Sequence, residues 1–276
     1  GPCSSFSRPV DMSDITIIGA GVAGLCVART LLDRGAQVTI VDRHIEAGPH
    51  ACSWWAGGML APYCEGESAE EPVVRLGLEA ADWWAAHTQA VHRCGSLVVS
   101  PARDKADLAR FARRTRGHRE LCGDEITALE PDLGTRFARG LFFQAEAHLA
   151  PRAALAQLRQ NLVAGGAVFV QDDADPQAYA GRGLTIDCRG FQAKHQISDL
   201  RGVKGEMLVL SCPDVALTRP IRMLHPRVPL YIVPRGDGIF MLGATMVEGR
   251  AGKHITARAL LELLSAAYAL NPAFGQ

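Results

Sequence analysis

Near the start of the chain the spacing of hydrophobic positions changes twice. Ile15–Ile18 is a continuous β-branched run, as expected of a strand buried on both faces. It runs into Gly19-Ala20-Gly21-Val22-Ala23-Gly24, after which Leu25, Ala28 and Leu32 recur at helical spacing and predict a helix to Asp33. Gly35 ends that helix, and Val38–Val41 predicts a second buried strand closed by Asp42. Pro62–Glu71 is acidic and without period, which predicts a solvated loop. Pro72–Ala90 predicts one helix with Val73, Leu76, Ala80 and Trp83 on its inner face, so Trp83 and Trp84 are expected in a core. Leu97–Val99 predicts a strand. Asp104–Arg116 predicts a helix with Leu108 and Phe111 inside and its basic residues outside.

Later segments repeat the α/β pattern. Pro151–Ala164 predicts a helix opened by proline, with Leu155, Leu158 and Leu162 in register and Gly165-Gly166 as its stop. Strands are expected at Val168–Val170 and Leu184–Cys188. The runs at Gly205–Leu210, Leu230–Val233 and Ile239–Leu242 predict an antiparallel-rich sheet, and Thr256–Leu270 a closing helix. The fold class expected is therefore α/β, a Rossmann-like dinucleotide domain interleaved with an antiparallel-sheet domain for substrate. Residues 12–80 and 150–200 are assigned to the first and 81–149 and 201–260 to the second.

Composition narrows the partners. Lys+Arg and Asp+Glu both total 29, so no net field steers the chain onto nucleic acid or an anionic membrane. No apolar stretch has the length of a membrane span, and Gly1–Val10 has no apolar core of a signal peptide. The first eleven residues are read as an appended or disordered tail, with Met12 as the natural start. The eight cysteines lack C-x-x-C pairs and the histidines lack zinc spacing. Reduced thiols, no metal and a cytoplasmic location follow as expectations.

The glycine-rich turn carries the chemistry. A bare G-x-G-x-x-G is weak evidence, but here a strand precedes it, a helix follows, and an acid stands eighteen positions beyond Gly24. Gly19 permits the tight turn, Gly21 lets backbone N–H groups approach a pyrophosphate, and Gly24 lets helix and strand pack closely. The helix start, with Val22 and Ala23, offers its partial positive charge to the phosphates. Asp42 can accept hydrogen bonds from an adenosine ribose, with Arg43 beside it. This motif alone does not separate FAD from NAD. The stretch Cys52–Pro62 has neither helix nor strand period, and its small residues Ser53, Ala56, Gly57 and Gly58 would let backbone lie flat against a planar ring.

At this point the sequence resembles the glycine oxidases and D-amino-acid oxidases, flavin-dependent amine oxidases with a Ser/Ala-rich segment ending in Gly-Met-Leu, here Gly58-Met59-Leu60. The segments 186–190, 200–207, 231–235 and 243–246 match in order and resemble the branch that serves thiamine biosynthesis. The resemblance implies FAD as cofactor and oxidation of glycine or another small amino acid. In that reaction a hydride passes from the α-carbon to flavin N5, and O₂ reoxidises the flavin to give imine or glyoxylate, ammonia and peroxide. It also implies a homotetramer and hand-over of the imine to thiazole synthase. By the same resemblance Tyr231 bonds the substrate carboxylate, Met246 lines the pocket near the ring and Met59 lies near the flavin. No catalytic base is required, and Asp187 and Glu206 are left to structural or cofactor-facing roles. Trp54 and Trp55 depart from the family's small residues and would either narrow the pocket or stack on the cofactor.

Two alternatives stand beside this reading: an oxidase of secondary amines such as sarcosine or iminodiacetate, and a non-catalytic dinucleotide-binding fragment. Family members continue past the position matching Phe274, and the resemblance places their carboxylate-gripping arginine in that further stretch. The chain is accordingly expected to be a fragment of a longer enzyme or a degenerate paralogue. Alone, it is expected to hold FAD poorly and to be inactive.

Overall fold

The computed structural model describes residues 14–225, 229–249 and 252–276. The proposed tail and the start at Met12 lie outside them. The chain divides into two compact units, Gly1–Ala56 with Arg152–Leu200, and Gly57–Pro151 with Arg201–Gln276. The first crossing falls after Ala56, where sequence patterning had placed it near residue 80.

In the first unit four parallel strands lie in the order Leu184–Asp187, Asp14–Ile18, Gln37–Asp42, Val168–Gln171. The β-branched runs explain the centre of this sheet, where Ile17, Ile40 and Val41 are fully buried. Helix Val22–Asp33 buries Gly24, Leu25 and Ala28. Helix Pro151–Ala164 has the bounds its pattern predicts and buries Ala154, Leu155, Leu158 and Leu162.

The second unit is built on a seven-stranded sheet. Its order is Val203–Ser211, Ile239–Glu248, Leu230–Gly236, Ile221–Met223, Ser96–Val99, Arg139–Phe143, Arg119–Cys122. All neighbours are antiparallel except Ile221–Met223 and Ser96–Val99, which run parallel. Helix Ala257–Leu270 lends Leu263, Ala266, Ala267 and Leu270 to a core with Ile221, Met223, Leu230, Ile232 and Leu242. Residues alternate across a strand, so Arg222 and Tyr231 project from the opposite face. A separate three-stranded sheet joins Met59–Leu60, Ala147–Leu149 and Val91–His92.

Two expectations are corrected. The loop at Pro62–Glu71 contains a helical turn, Pro62–Glu65, opened by its proline. The single helix over Pro72–Ala90 is two helices, Glu71–Gly77 and Ala80–His87. The break rotates the buried face, so Val74 and Trp84 are buried while Val73 and Leu76 are more than half exposed. Gly77 explains the position of the break, since glycine is a poor helix former and a Cβ there would lie 3.0 Å from Pro62 Cβ.

Candidate functional site

The glycine turn of the first unit is shaped by its own packing. Gly19 has φ +108°, and a Cβ on it would lie 2.5 Å from the Cys188 carbonyl oxygen. A Cβ on Gly24 would lie 1.8 Å from the Gly19 oxygen, so both glycines are obligatory for the fold itself. Gly21 differs. Its φ of −75° suits any residue, and a Cβ would meet only Ser53 Oγ, at 3.3 Å. Among the described residues, only the Ser53 hydroxyl would have to yield to a side chain there. Val22 and Ala23 are exposed at the helix start, where backbone N–H groups lack partners within the helix. The Val22 N–H donates to Ser53 Oγ at 2.9 Å, so Ser53 serves as the helix's side-chain cap from 31 residues away.

Asp42 stands at the carboxyl end of its strand, half-buried. Its Oδ2 accepts from Ala20 N–H and its Oδ1 from His44 N–H, each at 2.8 Å. It therefore ties the glycine turn to its own loop, and an ionised carboxylate keeps further acceptor sites for a ribose. Arg43 is exposed, with its guanidinium 3.8 Å from Asp173. Nearby, Arg159 is buried over the Phe169 ring, its Cζ 4.8 Å from the centroid, and Nη2 donates to the His44 carbonyl at 3.4 Å. Burial pulls its pKa down against the opposing charges of Asp42 and Glu46.

Within this unit Trp54 and Trp55 are held by protein contacts. The Arg152 guanidinium lies over both rings, 4.6 and 5.1 Å from their centroids. Trp55 Nε1 donates to the Pro49 carbonyl at 3.0 Å. Ala56 ends this unit, exposed. Asp187 holds Arg189 through two bonds, at 2.9 and 2.8 Å, which makes it a structural anchor.

In the second unit Gly58 has φ +79°, and a Cβ on it would strike the Leu149 oxygen at 2.1 Å. Met59 is partly buried and pairs in register with His148. Tyr231 lies directly opposite Arg222 on one side and Gly243 on the other. Its ring occupies a slot that two glycines leave open. A Cβ on Gly57 would approach ring Cε2 to 2.9 Å, and one on Gly243 would approach the hydroxyl to 2.6 Å. Burial raises the Tyr231 pKa above its ordinary value, so its hydroxyl keeps its proton. Arg222 and Arg235 oppose that rise, while Glu65 adds to it. Met246 is not brought to Tyr231. It lies three residues beyond Gly243 on the same strand and is 82% exposed.

Sequence patterning missed several buried polar groups here. Glu146 accepts from Tyr63 and Cys64 backbone N–H at 3.0 and 3.1 Å and also from Ser96 Oγ. His148 stacks on His92 with centroids 5.1 Å apart, and its Nδ1 is buried without a hydrogen-bond partner among the described residues. Glu146 and His148, beside and within the short, buried strand Ala147–Leu149, were the available signal. Glu206 accepts from Thr245 Oγ1 and Thr256 N–H at 2.8 Å each, fastening the start of helix Ala257–Leu270 to the sheet. That role is structural.

The family model "FAD dependent oxidoreductase" (DAO) matches residues 14–276. A Rhizobium etli protein named "Putative thiamine biosynthesis oxidoreductase ThiO" is 52% identical over 270 residues, covering 95% of this chain and 80% of that protein. A Pseudomonas aeruginosa glycine oxidase is 25% identical over 94% of this chain and 78% of its own length. Among solved structures, glycine oxidase from Geobacillus kaustophilus superposes with a TM-score of 0.75 at 20% identity, covering 95% of this chain and 79% of that one.

Proposed function

On the premise that this chain belongs to the DAO family of FAD-dependent oxidoreductases, we propose that it oxidises glycine or another small amino acid with O₂ as acceptor. Likeness to the Rhizobium etli protein carries this reading, and with it a place in thiamine biosynthesis, where the imine product would pass to thiazole synthase. The glycine oxidase from Pseudomonas aeruginosa points to the same substrate class.

FAD binding belongs in this proposal to the first unit. The exposed helix start at Gly21, Val22 and Ala23 would face the pyrophosphate, and Asp42 with Arg43 the adenosine ribose. Gly21 supports this, because among the described residues a Cβ there would press only on the Ser53 hydroxyl, at 3.3 Å. Gly19 and Gly24 shape the turn. Ser53 keeps the helix start in place, and Ala56 would lie along the ring of the flavin.

When bound, FAD supplies the two-electron oxidation of the amine's C–N bond. The chain's own residues bind and orient. Tyr231 is rigid between Gly57 and Gly243 and stays protonated, so its hydroxyl can donate to a substrate carboxylate. Met246, 82% exposed on the strand that carries Gly243, would line the substrate side. No helix among the described residues is long and apolar enough to cross a membrane.

The experiment is direct. Purified at the full length of its relatives, of which this chain covers 80% in the Rhizobium etli case, the protein is expected to carry a flavin visible absorption band and to release peroxide from glycine or sarcosine. Tyr231→Phe is expected to raise KM by roughly tenfold with little change in kcat, the loss of one hydrogen bond to a charged group. A protein that binds FAD but releases no peroxide from either amine would sink the proposal.

A further inference from the structure

We propose that Arg222 is a second carboxylate-binding group beside Tyr231, occupied in the free protein by Glu65, and that it admits amines bearing two carboxylates. This rests on the amino-acid oxidase reading above. Arg222 and Tyr231 are directly opposed across antiparallel strands, so their side chains leave the same face of the sheet as neighbours. Helix Ala257–Leu270 covers the other face. The Arg222 guanidinium is near enough to oppose the rise of the Tyr231 pKa, so a ligand carboxylate at the Tyr231 hydroxyl lies within its field.

The guanidinium is incompletely satisfied. Its Nη2 donates to Glu65 Oε1 at 3.0 Å, while its Nε is buried with no hydrogen-bond partner among the described residues. A guanidinium presents five donors in a planar fork matched to a bidentate carboxylate. Glu65 uses one edge of that fork and leaves the inner donor unused. The two partners are also unequally held. The Arg222 side chain is 19% exposed and that of Glu65 is 48% exposed. Glu65 ends the short helix Pro62–Glu65 and can return to water cheaply, whereas Arg222 is fixed by the strand between Tyr231 and Val98. An incoming carboxylate exchanges with Glu65, anion for anion, and Arg222 never becomes an unpaired buried charge.

An ordinary structural ion pair predicts something different, and the difference is one of sign. If the pair only holds the fold together, removing either partner acts in the same direction. If Glu65 competes with a ligand for Arg222, removing the two partners acts in opposite directions.

The test uses the holoenzyme with glycine and with iminodiacetate, an amine with two carboxylates. The expected result is that Arg222→Met lowers the ratio of kcat/KM for iminodiacetate over glycine by about tenfold or more, the worth of a charge-assisted contact. Glu65→Gln is expected to raise the same ratio several-fold, and Arg222→Lys to restore part of what Arg222→Met loses. A ratio that falls in both Arg222→Met and Glu65→Gln, or moves in neither, overturns the inference. Glu65 is half-exposed, so Glu65→Gln decides the matter even where Arg222→Met fails to fold. A wild-type protein that oxidises neither amine refutes the oxidase reading but leaves a calorimetric titration decisive. Iminodiacetate must still bind, more tightly to Glu65→Gln than to wild type, and absence of binding overturns the inference.

Discussion

At the scale of single residues, three glycines of one motif have different reasons to be glycine. Gly19 has a positive φ and Gly24 has no room for a Cβ against the Gly19 oxygen, so both are required with or without cofactor. Gly21 has ordinary dihedrals and one near neighbour, the Ser53 hydroxyl. Gly24→Ala is therefore expected to destabilise the protein by about 3 kcal/mol, because a methyl must be forced into close-packed backbone. Gly21→Ala is expected to leave the stability of the FAD-free protein within about 1 kcal/mol. Its FAD affinity should nevertheless fall by roughly tenfold or more if backbone must reach the pyrophosphate there. Thermal melts of FAD-free protein with FAD titrations followed by flavin fluorescence separate the two effects, and unchanged FAD affinity in Gly21→Ala would refute the phosphate placement. Asp42 is a poorer probe than its place in the motif suggests. Its carboxylate also holds Ala20 and His44, so Asp42→Ala mixes loss of a ligand contact with loosening of the turn.

At the scale of elements, a carboxylate fastens the start of helix Ala257–Leu270 to the large sheet. Glu206 is buried, and burial alone would raise its pKa. Hydrogen bonds from Thr245, Thr256 and Lys204 outweigh that and bring it down to about 2. A carboxyl depressed in the folded state contributes stability that is complete above its unfolded pKa, ordinarily about 4.5, and is lost as pH falls towards 2. Glu206→Gln is expected to cost about 1–3 kcal/mol at neutral pH, since buried donors lose a charged acceptor, and to flatten the loss of stability below pH ~4.5. Urea midpoints at neutral and acidic pH check both, and a variant as stable as wild type at neutral pH would show that the bonds contribute nothing net. Helix patterns were legible to different degrees. Pro151–Ala164 follows a strict period between a proline and two glycines, and local sequence is enough to bound it. Pro72–Ala90 has apolar residues on several faces, so only packing shows that Val74 and Trp84 go inward and that the helix breaks near Gly77.

At the scale of the whole molecule, equal numbers of acidic and basic residues conceal a local imbalance. Burial first, then the nearby cationic charge of His92, Arg235 and Arg219, pushes His148 down to about 4 from an ordinary 6.5. The unfolded chain takes up that proton between pH 6.5 and 4 and the folded one does not. Stability is therefore expected to drop on acidification through this window, by roughly 3 kcal/mol in all. Denaturation at pH 7 and pH 5 should show a smaller difference in His148→Leu than in wild type, and an equal difference would place the acid sensitivity elsewhere. What the sequence by itself determined is whatever depends on neighbours along the chain. The glycine-rich turn, its flanking strand and helix and the acid beyond them are legible in residue type and period, and so is the family resemblance they carry. What only the tertiary structure decided is which distant side chains meet. Ser53 capping a helix 31 residues away, Arg222 beside Tyr231 with Glu65 upon it, and the exposure of Met246 leave no periodic trace. They depend on strand register and on space left by absent side chains, such as the slot between Gly57 and Gly243, and those are properties of the packed chain.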